Sequence, residues 1–223
     1  MQYKQLIPIS IVYFLMVINT IILSYNLPLT TMYYISKPAI LGILIFVFAK
    51  LSYDLDAKTR LFTVLALVCS LTGDILLMYS STSELYFIGG LIAFLLAHIM
   101  YIIVFLKQRD KHTSVQPITL ILLLYGAGIF YMLKAGLNTL MIPIIVYMLV
   151  ILSMAVTAFM RKGKVSKTSF TMVFLGAILF LISDSILALN KFYEPMYSSG
   201  ITVILTYGIA QYLIVLGLLK QNA

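Results

Sequence analysis

Tryptophan is absent from this 223-residue chain, cysteine occurs once (Cys69) and histidine twice (His98 and His112). A lone cysteine rules out an internal disulfide and a cysteine-rich metal site. Two histidines, one of them in a basic loop, are too few for a three-histidine metal centre. No metal or other cofactor is therefore expected. Charge is scarce as well: 10% of the residues are Asp, Glu, Lys or Arg, and only seven are acidic. No Ser/Gly-rich or acidic stretch reads as a linker, so residues 1–223 are expected to form a single domain. What fills the chain is apolar. It is 62% hydrophobic with a mean hydropathy of +1.08, outside the soluble range and inside the class of polytopic membrane proteins. Without tryptophan, the sixteen tyrosines are left to supply the interfacial aromatic belt. An apolar run follows Lys4 with no small-x-small cleavage signal after it, which reads as a first membrane helix.

Eight apolar spans can be drawn, at about 6–25, 34–50, 61–79, 86–106, 117–133, 141–160, 169–190 and 198–219. The expected fold is an all-α, polytopic integral membrane bundle of eight transmembrane helices. Basic residues set the orientation. Twelve of them (Lys4, Lys50, Lys58, Arg60, Lys107, Arg109, Lys111, Arg161, Lys162, Lys164, Lys167 and Lys220) fall on one side. Only Lys37, Lys134 and Lys191 fall on the other. That bias places both termini in the cytoplasm. It also accounts for the net charge of +8 as membrane-flanking charge, so no nucleic-acid partner is implied.

Five acidic residues (Asp54, Asp56, Glu84, Asp110 and Glu194) lie in or beside polar connections, whereas Asp74 and Asp184 interrupt apolar spans. A charged group at membrane depth costs ~2.5–3.5 kcal/mol on insertion scales, so each is a candidate functional residue. Both spans run from inside to outside, and at ~1.5 Å per residue both carboxyls sit ~20 Å from the inner face. A short internal repeat links them: SLTGDILLM at 70–78 matches FLISDSILAL at 180–189. Ala97-His98 with Tyr101 is matched to Ala210-Gln211-Tyr212, and Pro38 to Pro143, each proline opening the second helix of its half. This pattern is compatible with two parallel four-helix repeats. Two carboxyls in one poorly hydrated pocket resist double ionisation, which leaves one of them able to act as a general acid. Around them, Ser70 shares a helical face with Asp74 and Ser183 flanks Asp184. His98 lies on a stripe with Tyr101 that faces other helices. Gln211, one turn from Tyr207, is read as the second-half counterpart of His98. Lys37 reads equally as a lipid anchor or as a contact to a substrate phosphate. Cys69, the methionines and most tyrosines are read as packing.

Lys37-Pro38, Ser70-Leu71-Thr72-Gly73-Asp74, Gly90-Leu91-x-Ala93-Phe94-x2-Ala97-His98-x2-Tyr101, Gly176-Ala177-x2-Phe180-x2-Ser183-Asp184-Ser185 and Tyr207-x2-Ala210-Gln211 together resemble the YhhN/lysoplasmalogenase family. The resemblance spans the second to the eighth helix. It implies an eight-helix integral membrane protein, in a bacterial cell membrane, that hydrolyses the vinyl ether of a lysoplasmalogen. The products would be a fatty aldehyde and a glycerophospho-headgroup, with a lysophospholipid and water as partners. Carried over by position, Asp74 and Asp184 would be the catalytic acids, with His98 and Lys37 lining the site. The residues themselves leave another reading open, a proton-coupled transporter or lipid permease built on the same intramembrane aspartates.

Overall fold

The helices Thr31–Leu51, Ala57–Met78 and Lys167–Phe192 each reflect two separate signals, an apolar run long enough to span a bilayer and a polar residue whose side chain caps the start. The computed structural model describes residues 6–26 and 30–221; Lys4, counted above on the inner side, lies outside them. The helices are α1 (Leu6–Asn26), α2 (Thr31–Leu51), α3 (Ala57–Met78), α4 (Glu84–Lys107), α5 (Gln116–Leu133), α6 (Met141–Phe159), α7 (Lys167–Phe192) and α8 (Ser199–Leu219). All eight are long and apolar enough to cross a membrane. No strand occurs among the described residues. The expected all-α membrane architecture is thus the observed one.

The main differences from the sequence reading lie at the starts of α2 and α3. Each begins earlier than its apolar run, because the cap and not the first apolar residue starts the helix. The Thr30 hydroxyl accepts from the Tyr33 amide, and the Asp56 carboxylate accepts from the Thr59 amide at 3.1 Å. Lys37-Pro38 therefore does not open α2 but lies inside it, with Pro38 the eighth helical residue. Pro143, by contrast, is the third residue of α6, so the two prolines are not equivalents.

The internal repeat has a simpler register than the sequence match gave. Helices α2 and α6 start at Thr31 and Met141, and α3 and α7 at Ala57 and Lys167, an offset of 110 residues in both cases. The caps keep it: Ser166 accepts from Ser169 just as Asp56 accepts from Thr59. Asp74 and Asp184 keep it too, each seventeen residues beyond the first residue of its helix. The starts of α4 and α8, Glu84 and Ser199, lie 115 residues apart, so the register does not extend to the helices that carry His98 and Gln211.

The chain divides into two compact units, residues 1–97 and 98–223. In the first, α1 packs on α2 and α2 on α3. Helix α1 buries Tyr13, Val17 and Thr20 and turns Ile7, Ile11, Leu15, Ile18 and Ile22 outward. Such a face is suited to lipid, where an exposed apolar stripe has no cost. In the second unit, α7 packs most extensively on α8 and also contacts α6 and α5. The α7–α8 approach is close because Gly176 and Gly217 present no side chain to it. A Cβ on Gly176 would fall 2.8 Å from the Ala210 carbonyl oxygen.

One end of this second unit is closed by Arg161, which is fully buried. Its Nη2 donates to Ser169 Oγ at 3.1 Å and to Gln221 Oε1 at 3.4 Å, and its guanidinium lies 5.7 Å from the centroid of the Phe105 ring. Ser169 Oγ in turn donates to the Gly217 carbonyl at 2.6 Å. Burial lowers the guanidinium pKa from its ordinary value to about 10, which leaves it charged at neutral pH. One basic residue thereby ties the α6–α7 turn, the start of α7 and the end of α8 together.

Candidate functional site

In the first unit, α2 and α3 bring a cation to Asp74. Lys37 Nζ lies 4.0 Å from Asp74 Oδ1, with the carboxylate side chain 5% exposed and the lysine side chain 18%. The ammonium is thus held at the aspartate instead of simply reaching for lipid phosphate. Ser70, one turn before Asp74, is fully buried, as is most of Ser36, the residue before Lys37. Gly73 makes room beside the carboxylate for the ring of Phe94, whose nearest atoms would sit 2.6 Å from a Cβ at that position. A larger residue there would push the aromatic wall off α3.

In the second unit a neutral group meets the aspartate. The Tyr147 hydroxyl on α6 donates to Asp184 Oδ2 on α7. His98 Nε2 approaches the same oxygen at 3.9 Å, beyond hydrogen-bond range. Neither ring nitrogen of His98 has a hydrogen bond among the described residues, although the side chain is fully buried. Its ring is wedged edge-on between Tyr147 at 5.4 Å and Phe180 at 4.7 Å between centroids, so packing alone fixes the orientation of the imidazole. Next to Asp184, Ser185 Oγ accepts from the Tyr125 hydroxyl at 2.9 Å and donates to the Leu181 carbonyl.

The remaining candidates form a separate chain of contacts. Tyr101 donates to Gln211 Oε1 at 2.7 Å, and Gln211 Nε2 donates to the Tyr207 hydroxyl oxygen at 3.4 Å. Tyr207 also stands edge-on to Phe180, 5.3 Å between centroids, so this chain borders the wall of the histidine pocket. Ser183 turns away from Asp184: its hydroxyl donates to the Val203 carbonyl of α8 at 3.2 Å and satisfies a polar group at the helix interface. Within each unit, then, Lys37 meets Asp74, His98 meets Asp184, and Tyr101 meets Gln211 and Tyr207.

Sequence reasoning missed Tyr147 and Tyr125. In a chain with sixteen tyrosines, a phenol inside an apolar helix reads as packing. The signal that would have found Tyr147 is an interval. It precedes Asp184 by 37 residues, and Lys37 precedes Asp74 by the same number. The chemistry available is proton exchange. One carboxylate has a cation beside it, and the other carboxyl accepts from a phenol.

Comparison with known proteins bears on what that chemistry acts upon. Human lysoplasmalogenase TMEM86B is 29% identical over 158 residues, 70% of this chain and 62% of its own length. The pig TMEM86B enzyme is 33% identical over 149 residues, 67% of this chain and 59% of the relative. Human lysoplasmalogenase TMEM86A is 28% identical over 168 residues, covering 74% and 68%. The matched stretch thus spans about three fifths of the length of the TMEM86B relatives. No solved structure matches the chain. The YhhN family profile matches residues 32–218, from the start of α2 almost to the end of α8, and on that extent the chain belongs to the YhhN family.

Proposed function

We propose that this protein hydrolyses the vinyl ether of lysoplasmalogens within the membrane, using Asp74 and Asp184 as an acid and charge-bearing pair. The observation that carries the reading is the contrast between their partners, an ammonium for Asp74 and a phenol for Asp184. Relatives that are lysoplasmalogenases support the substrate class. In this reading residues 1–223 act as one domain with both termini in the cytoplasm.

The reaction suits such a pair. Protonation of the vinyl ether at its β-carbon uses the alkene electrons to form the new C–H bond. The α-carbon becomes an oxocarbenium ion, which a carboxylate stabilises. Water adds to that carbon and gives up a proton, which restores the acid. The hemiacetal hydroxyl then gives up its proton and becomes the carbonyl as the bond to the glycerol oxygen breaks, and that oxygen takes up a proton and leaves as the alcohol. The aldehyde is the second product. A vinyl ether protonated at carbon requires no covalent enzyme intermediate, so no nucleophilic serine or cysteine enters.

Purified protein in detergent should release fatty aldehyde from an alkenyl lysophospholipid and leave the acyl analogue intact. Proton-coupled movement of lysolipid across proteoliposomes with no aldehyde formed would replace the hydrolase reading with a transporter.

A further inference from the structure

We propose that Tyr147 is the second-half counterpart of Lys37 and a positioning residue for Asp184, fixing which carboxyl oxygen delivers the proton. The inference rests on the hydrolase reading above. Its basis is the 110-residue register of helix starts and caps. That register maps Asp74 onto Asp184 and Lys37 onto Tyr147. In each unit, therefore, the same position on the preceding helix faces the aspartate, as the lysine contact at 4.0 Å and the phenol hydrogen bond show separately. The repeat has kept the geometry and changed the chemistry.

The change divides the work between the two aspartates. An ammonium stabilises the charged carboxylate far more than the neutral carboxyl, so Lys37 suits Asp74 to the charge-bearing role. A phenol O–H can donate to a carboxylate oxygen and equally to the carbonyl oxygen of a protonated carboxyl. Asp184 can therefore lose and regain its proton without losing Tyr147. Because Tyr147 donates to Oδ2, and His98 Nε2 approaches that same oxygen, the acid proton belongs on Oδ1. In the reaction it passes from Oδ1 to the β-carbon of the vinyl ether, and the proton released by the attacking water replaces it. Side-chain packing holds the donor in place: Tyr147 is buried, and its ring is pinned edge-on by His98.

The test uses the full chain in detergent with an alkenyl lysophospholipid. Tyr147→Phe removes the donor and keeps the ring. It should lower kcat by about 10- to 100-fold, the effect of losing a hydrogen bond to an ionisable group, and leave KM within about twofold. Fluorinated tyrosines at position 147 retain the fold and the donor but change phenol acidity. With them kcat should vary progressively with acidity, a trend that a purely structural tyrosine would not produce. If the wild type makes aldehyde and either Tyr147→Phe keeps full turnover or the fluorotyrosine series is flat, the role of Tyr147 is wrong and the hydrolase reading stands. If the wild type makes no aldehyde, the hydrolase reading falls and this role falls with it.

Discussion

Lys37 Nζ lies 4.0 Å from Asp74 Oδ1, on neighbouring helices. Removing one partner of a buried pair costs ~3–5 kcal/mol, and the 18% exposure of the lysine side chain brings the expected loss for Lys37→Met down to about 2 kcal/mol. Thermal unfolding in detergent measures it. Because the ammonium neutralises Asp74, kcat should fall along with stability, unlike the loss of a remote phosphate contact, which would raise KM alone. Adding Asp74→Asn to Lys37→Met should recover stability without recovering turnover. A single variant with normal kcat and raised KM would make Lys37 a headgroup contact.

Asp74→Asn and Asp184→Asn keep size and polarity but cannot exchange a proton. Each should lower vinyl-ether turnover by ~10²–10⁴-fold while the protein still inserts and unfolds cooperatively. Near-normal turnover of both Asn variants would place the catalytic groups elsewhere.

The proposed orientation rests on the basic residues at the helix ends. The connections after α2, α4 and α6 carry or adjoin Lys50, Lys58, Arg60, Lys107, Arg109, Lys111, Arg161, Lys162, Lys164 and Lys167. Reporter fusions after residues 55, 110, 165 and 223 should all read as cytoplasmic. A periplasmic signal from the fusion at 223 would contradict an even number of crossings.

The parts of this molecule legible in the sequence were those that hydropathy penalises. Asp74 and Asp184 stood out because a carboxyl in an apolar run is costly, and the eight spans stood out because lipid tolerates little else. The helix starts were less legible, since Thr30 and Asp56 act through caps that precede the apolar run. Tyr147 was hidden for a different reason. A phenol carries little hydropathic penalty, so its hydrogen bond to Asp184 leaves no mark on composition. Ser183 stands beside Asp184, but its rotamer sends the hydroxyl to α8, a choice that adjacency in the chain does not encode.

The α7–α8 contact offers a test of how far the site depends on helix spacing. A Cβ at Gly176 would lie 2.8 Å from the Ala210 carbonyl oxygen and 3.1 Å from the Ile214 amide nitrogen. Both are backbone atoms of α8, so no rotamer change relieves the clash and the helices must separate. Gly217 opposes this locally, since a Cβ there would already sit 3.0 Å from the Val173 amide. Overpacking of this kind costs ~1–3 kcal/mol, which outweighs the ~1 kcal/mol that alanine gains over glycine in a helix. Gly176→Ala should therefore lower the unfolding temperature. Because Ala210 adjoins Gln211 on α8, it should also loosen the Tyr101–Gln211–Tyr207 chain and reduce turnover. Gly42→Ala is the control: nothing lies within 4 Å of its Cβ position, so stability should hold or rise by up to ~1 kcal/mol with turnover unchanged. Equal behaviour of the two variants would mean that α7 and α8 have more clearance than their backbone atoms show.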